Sequence, residues 1–315
     1  MLLKKISTPN NISKQAQAFY AQEIPEIPII DFTSVDDVQL IRDAIHPQWQ
    51  GLCEQIPYDY TFDEIEINGI RCYQIDPPDR ADDTVVIIYI YGGGNFFGHP
   101  TLCKNIPVSI AHNSGIRVIS VEYRLGPEHS FPAPIDDILD VIDGIKTYFG
   151  NNTRYGIVGH SAGGGLALSA ALQAKEKNLP CPAAMALISP WVELELCGDS
   201  MRTIEAFDPN PPSHAWFYKS VDAFIGNYQR TDPLVSPLYG DFSDLCPTYI
   251  QQAARDRLLS DATRLNRSLL DAKVSSTLDI WDGLWHGFQM VPLLPEAQQA
   301  NQATAYFMKS LLIQR

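Results

Sequence analysis

RYGIVGHSAGGGLALSAALQA, running from Arg154 to Ala174, is the stretch that decides how this chain is read. At its centre stands Gly159-His160-Ser161-Ala162-Gly163, a G-x-S-x-G pattern. The apolar pair Ile157-Val158 leads into it as a short strand, and small residues from Gly164 to Ala174 lead out as a helix. Strand, tight turn and helix, in that order, are the context in which such a serine serves as a nucleophile. Glycines on both sides permit a sharp backbone turn that a Cβ would block. The turn lifts the Ser161 hydroxyl clear of the sheet and sets the following amides at a helix N-terminus, where negative charge is favoured. So short a pattern also arises by chance, and its meaning depends on what surrounds it.

Upstream, Thr84 to Tyr91 (TVVIIYIY) is apolar without alternation, as in a strand buried on both faces of a parallel sheet. Tyr91-Gly92-Gly93-Gly94-Asn95-Phe96-Phe97-Gly98 follows it directly. A glycine loop could be merely flexible, or it could cradle a phosphate. A phosphate cradle calls for Lys-Ser/Thr or for G-x-G-x-x-G opening a helix, and neither follows. Paired with the later elbow, the loop reads instead as half of an oxyanion hole, with the amides of Gly93 and Gly94 joined by that of Ala162. Donors of this kind are worth about 3–4 kcal/mol each in an acyl-transfer barrier.

The base should lie beyond the serine, with the acid between them. Of the seven histidines only His214 and His286 lie beyond Ser161. His286 sits in GLWHGF (283–288), a loop after a predicted strand, whereas His214 sits in the Pro-rich DPNPPSHAW (208–216) with no strand before it. His286 is the better-placed base. For the acid, Asp256 follows the predicted strand Thr248 to Gln252 closely enough to reach a neighbouring loop. Asp261 is the other candidate, but it stands where a helix N-cap is expected, a role that suits aspartate.

The remaining chain alternates. Phe62 to Ile67 and Ile70 to Ile75 flank Asn68-Gly69, a hairpin signal. Further strands are predicted at Arg117–Glu122, Tyr155–Val158, Ala183–Ser189, Thr248–Gln252 and Ser276–Ile280, with helices at Pro134–Phe149, Gly164–Lys175, Asp261–Ala272 and Pro295–Leu312. An antiparallel start followed by alternating strand and helix predicts a mostly parallel, three-layer α/β fold. Residues 1–55 read as short helices broken at Glu23-Ile-Pro-Glu-Ile-Pro28, either a loose tail or a helical lid; Phe19, Tyr20 and Trp49 need burial and favour the lid.

Composition bounds the rest. The 315 residues are 45% hydrophobic and 19% charged, ordinary for a globular protein with one large domain. A net charge of −14 argues against a nucleic-acid partner. The six cysteines show neither C-x-x-C nor close spacing with histidine, so a metal site or disulfide framework is not expected and reduced, mostly buried thiols are. MLLKKISTPNN does not resemble a signal peptide, and no apolar run reaches the length of a membrane span, so the expectation is a cytoplasmic chain without stable membrane insertion.

Several stretches together resemble the hormone-sensitive-lipase-type branch of the α/β-hydrolases, the bacterial carboxylesterases. They are the elbow, Tyr123-Arg-Leu-Gly-Pro-Glu128-His-Ser-Phe-Pro132-Ala133, Ser189-Pro190-Trp191, Asp232-Pro-Leu-Val-Ser-Pro237-Leu238, Asp256-x-Leu258 and His286-Gly287-Phe288. The interval of thirty positions from Asp256 to His286 fits as well. The resemblance covers about residue 60 to the C-terminus. It implies an α/β-hydrolase fold with a mostly parallel, eight-stranded sheet over residues 56–315, under a helical cap built from residues 1–55 and an insert at about 194–228.

The implied activity is hydrolysis of short-chain acyl esters, with Ser161, His286 and Asp256 as catalytic triad and no metal or organic cofactor. Lactone hydrolysis and arylformamidase-type amide hydrolysis use the same apparatus. A non-catalytic ligand receptor on the same fold is a remoter reading, and the presence of His286 counts against it. Phe96, Phe97, Trp191, Trp216, Phe217 and Phe288 are candidates to line the substrate pocket, or simply to pack core and cap. The oligomeric state stays open, an edge-strand homodimer being common in such proteins. Two positions depart from the family: Tyr91 stands where it usually has histidine, and His160 where it has Asp or Glu. One alternative gives His160 part of the loop hydrogen bonding that a histidine at 91 would make.

Overall fold

The computed structural model describes residues 6–22, 28–209 and 213–313. Two helices open the chain, α1 (Lys14–Tyr20) and α2 (Val35–Cys53); the break expected between them falls mostly on 23–27, outside the described residues. Then come β1 (Thr61–Ile67), β2 (Ile70–Asp76), β3 (Val85–Ile90), α3 (Asn105–Ser114), β4 (Arg117–Val121), α4 (Ala133–Phe149), β5 (Arg154–His160), α5 (Ala162–Glu176) and β6 (Met185–Ile188). The insert carries the short α6 (Ser200–Thr203) and α7 (His214–Ile225), and the chain closes with β7 (Thr248–Arg255), α8 (Leu259–Asp271), β8 (Ser276–Trp285) and α9 (Pro295–Leu312).

The strands form one eight-stranded sheet in the order β1-β2-β4-β3-β5-β6-β7-β8. The Asn68-Gly69 hairpin forms as expected, both turn residues at positive φ (49° and 83°) as a two-residue primed turn requires. Strand β2 runs antiparallel to β1 and β4, and every other pairing is parallel. All residues of β3 and β6 are buried, which explains their unbroken apolar run. After β3 the chain moves to β4 on one side and then returns to β5 on the other. The carboxyl ends of β3 and β5 therefore flank a topological switch point, where open α/β sheets leave a crevice. The glycine loop follows β3 and Ser161 follows β5, so the sheet order brings them together.

The structure adds α3, which no amphipathic stripe announces. It is buried nearly all round, Ile106, Pro107, Val108, Ile110 and Ala111 included, and a helix without a solvent face shows no polar periodicity. Strand β8 is longer than expected and runs to Trp285, directly against His286. Asp261 does not cap a helix: α8 begins two residues before it, and its Oδ2 accepts instead from the amides of Val192 and Glu193, each at 3.0 Å. A local capping rule missed this because the partners lie across the fold. All six cysteines are free, with Cys53, Cys72 and Cys103 buried, Cys246 half-buried and Cys181 and Cys197 exposed.

Both N-terminal helices pack against the segments that frame the crevice. In α1, Phe19 stacks on Trp285 with centroids 3.8 Å apart, and Tyr20 donates to the Gly283 carbonyl at 2.8 Å. In α2, Arg42 donates to the carbonyls of Phe96 (3.0 Å) and Gly126 (2.8 Å) and grips Glu128 with two nitrogens.

Candidate active site

Ser161 occupies a turn that the sequence around it makes unavoidable. Its backbone is held at φ 57° and ψ −123°, outside the regions a non-glycine residue prefers. The two glycines of the pattern are sterically obligatory there. A Cβ on Gly159 would lie 2.3 Å from the Gly163 carbonyl oxygen, and one on Gly163 would lie 2.2 Å from that of Tyr91. Helix α5 starts at Ala162, so the amide following Ser161 points from a helix N-terminus.

His286 and Asp256 complete a line of hydrogen bonds. Ser161 Oγ lies 3.0 Å from His286 Nε2, and His286 Nδ1 lies 2.8 Å from Asp256 Oδ2. Asp256 Oδ1 accepts from the Leu258 amide at 2.9 Å, which fixes the carboxylate from behind. Asp256 is 1% exposed, and the His286 side chain 25%. Burial by itself would raise the Asp256 pKa. The His286 charge and hydrogen bond, the Leu258 amide and Gln252 together outweigh it and hold the carboxyl below its usual value. Desolvation would push His286 down, but the charge and hydrogen bond of Asp256, with a smaller push from the Asp208 charge, leave it above the usual imidazole value of 6.5. The other candidate base, His214, instead opens α7 with its ring 4.8 Å from that of Tyr218.

The glycine loop faces this line. Gly93 and Gly94 adopt φ of 130° and 63°, and the Gly93 carbonyl accepts from the amides of Phe96 and Phe97, which curls the loop. Among the described residues the amides of Gly93, Gly94 and Ala162 are not taken by any carbonyl. Two tyrosines secure the loop's start: Tyr123 Oη donates to the Tyr91 carbonyl at 2.7 Å, and the rings stack with centroids 4.4 Å apart. Among the described residues His160 makes no side-chain hydrogen bond to this loop, and its Nε2 is buried without a partner.

The YRLGPE segment, read in the sequence only as a resemblance, has a physical role at each polar position. Tyr123 holds the glycine loop, Arg124 grips the buried Asp137 of α4, and Glu128 ties to Arg42 of α2. Sequence reasoning missed Arg42 and Asp208, which stand in no motif. Only the fold brings them to the loop and to His286.

Five of the six pocket candidates form one connected aromatic cluster, in which Trp216 meets Phe217 edge-to-face at 5.5 Å, and the sixth stands apart. Phe96, Phe97 and Trp216 gather with Phe32 beside Gly94, with Phe32 4.9 Å from both Phe96 and Trp216 between centroids. Trp216 closes over the loop so tightly that a Cβ on Gly94 would meet its ring at 2.9 Å. Trp191 and Phe217 form an edge-to-face pair at 5.2 Å. Phe288 stands apart, fully buried in a separate cluster with Tyr20, Leu284 and Trp285, because the turn after His286 directs it toward α1 and α9. That placement makes Phe288 a packing residue, correcting the expectation that it lines the pocket.

A serine aligned on a histidine and a carboxylate, beside unspent amides, has the parts for acyl transfer. Comparison with known proteins agrees. Residues 87–290 match the alpha/beta hydrolase fold family. The chain is 31% identical over 277 residues to an esterase of Acinetobacter venetianus, covering 87% of this chain and 91% of that protein. It is 29% identical over 242 residues to an ethyl acetate hydrolase of Pseudomonas putida, covering 73% and 74%. Among solved structures, an esterase from the bacterial hormone-sensitive lipase family superposes with a TM-score of 0.81 at 28% identity, over 92% of this chain and all of that one. The chain therefore belongs to the α/β-hydrolase family, in its hormone-sensitive-lipase-type branch, and is a carboxylic ester hydrolase.

Proposed function

We propose that this enzyme hydrolyses short-chain acyl esters with Ser161 as nucleophile, His286 as general base and acid, and Asp256 as the carboxylate that orients the imidazole. The observation that carries the reading is the unbroken line from Ser161 Oγ through His286 to Asp256, at 3.0 and 2.8 Å. Ser161 Oγ attacks the ester carbonyl carbon as its proton passes to His286 Nε2. The carbonyl oxygen, now carrying the negative charge, is received by the amides of Gly93, Gly94 and Ala162. Collapse of this intermediate breaks the bond to the alkoxy oxygen, which takes the proton from His286 and leaves as the alcohol. Water, deprotonated by the same imidazole, then attacks the acyl-serine, and the acid departs with Ser161 restored.

Short acyl chains are supported by the aromatic wall of Phe32, Phe96, Phe97 and Trp216, whose rings pack on one another beside Gly94. The similarity to an ethyl acetate hydrolase points the same way. On this reading α1 and α2 (residues 1–55) and the insert at about 194–228 form a cap over the hydrolase domain (56–315), with Trp191 and Phe217 on its inner side. A cytoplasmic location is part of this proposal; no helix among the described residues is long and apolar enough to cross a membrane. Edge strand β8 exposes Ile280 and offers a surface for a homodimer, which sedimentation would detect.

Hydrolysis of p-nitrophenyl esters from acetate to dodecanoate, wild type beside Ser161→Ala, tests the reading. Rates that peak at short chains and fall by at least about a thousandfold in the variant support it. Turnover that survives the substitution rejects Ser161 as nucleophile, and a maximum at long chains rejects the small acyl pocket.

A further inference from the structure

We infer, resting on the reading of His286 as the base, that His160 is a positioning residue for the reaction. An uncharged imidazole set beside His286, it leaves the acid limit of ester hydrolysis to His286 and Asp256, a limit that a charged side chain in the same slot would move. His160 ends β5, directly before Ser161, and is 5% exposed. Its ring lies nearly parallel to that of His286, with centroids 5.8 Å apart and planes at 23°.

It fills the slot between the two loops that carry the reacting groups. A Cβ on Gly92 would come within 2.9 Å of His160 Nδ1, and one on Gly287 within 3.6 Å of Nε2. Nε2 is buried without a hydrogen-bond partner, so nothing holds a proton there as a charge. The titratable groups that face this ring are His286 and Asp256. Both Asp256 oxygens are already engaged, one by His286 and one by the Leu258 amide. His286 in turn faces Ser161, Asp256, His160 and the charge of Asp208.

Two imidazolium ions at this separation in a desolvated site repel, and only His286 has a carboxylate to stabilise its charge. Burial first, then the charge of His286, push His160 down to about 3, with Asp256 opposing. His160 therefore remains neutral wherever the enzyme works, and His286 alone takes up the proton. A carboxylate in the same slot would stand close to the imidazolium and, at the 5.8 Å ring separation, raise the His286 pKa by about two units, taking an effective dielectric of about 20.

The test is the pH profile of kcat/KM on p-nitrophenyl acetate for wild type, His160→Asn and His160→Asp, joined to nitrogen-15 imidazole NMR of the wild-type enzyme. The neutral amide of His160→Asn should leave the acid limb where it is, whatever it does to the absolute rate. His160→Asp should move the limb upward by about two units, an activity loss of about a hundredfold at pH values below it. In the wild-type spectrum His286 should titrate above the usual imidazole value while His160 stays neutral between pH 5 and 8, a result that needs no variant to fold. An unmoved limb in folded His160→Asp, or a His160 ring that titrates in that range, overturns the inference. Full activity in His286→Ala would instead overturn the reading of the base, so the two failures are distinguishable.

Discussion

At the scale of single residues, the pH behaviour follows from which group loses charge. On the proposed mechanism, Ser161 gives up its proton to an unprotonated His286. Asp256 holds the His286 pKa above 6.5 against desolvation, so activity should be full above that raised value and decline as the pH falls through it. Asp256→Asn removes the charge that raises the pKa. The acid limb should then move to lower pH while kcat drops by about 10³–10⁴, because an amide no longer fixes the imidazole tautomer. A pH–rate profile of the variant checks both parts, and a limb that stays in place would show that Asp256 does not set it. The residues of the line were readable from the sequence because each stands where its strand ends: Ser161 after β5, Asp256 after β7, His286 after β8. Asp208 was not readable, since its influence on His286 depends on how the insert folds back over the sheet.

At the scale of elements, the glycine loop is held from outside by α2. Arg42 reaches the Phe96 and Gly126 carbonyls and Glu128 at once, joining the loop and the segment after β4. Arg42→Ala releases these groups. A displacement of the loop by about 1 Å is enough to cost up to about a hundredfold in kcat, with KM changing much less. Steady-state kinetics separates the two parameters, and a change confined to KM would show that α2 serves substrate binding alone. That residues 1–55 are helical was legible in the sequence, yet α2 is one helix of 19 residues rather than a short one, and its partner was not legible. An arginine on a half-exposed helix looks like any solvated charge until the turn at Gly126 comes under it. Element α3 illustrates the opposite case, where complete burial removed the polar face by which a helix is recognised.

At the scale of the whole molecule, α9 locks the sheet from behind. Met308 is fully buried, and its Cε sits 2.3 Å from where a Cβ on Gly156 of β5 would be, so helix and strand meet without slack. Met308→Ala should cost about 2–5 kcal/mol of stability. Denaturant unfolding would measure that loss, and activity per folded molecule should stay close to wild type because Met308 meets β5 at Gly156, toward the end of the strand opposite Ser161. A destabilisation well below this range would mean that the helix relaxes into the gap. By itself, the sequence determined the alternation of strand and helix, the antiparallel start and the elbow, and it singled out Ser161, Asp256 and His286, which the fold brings into one line of hydrogen bonds. These are local properties, written in hydrophobic period, glycine position and the ends of strands. Only the tertiary structure decided that Phe288 packs toward α1 and α9, that Asp261 braces the loop after β6, that Arg42 grips the glycine loop, and that His160 lies neutral beside His286. Each of these depends on a partner more than fifty residues away or on the burial around it, and neither distance nor desolvation has a signature in a short window of sequence.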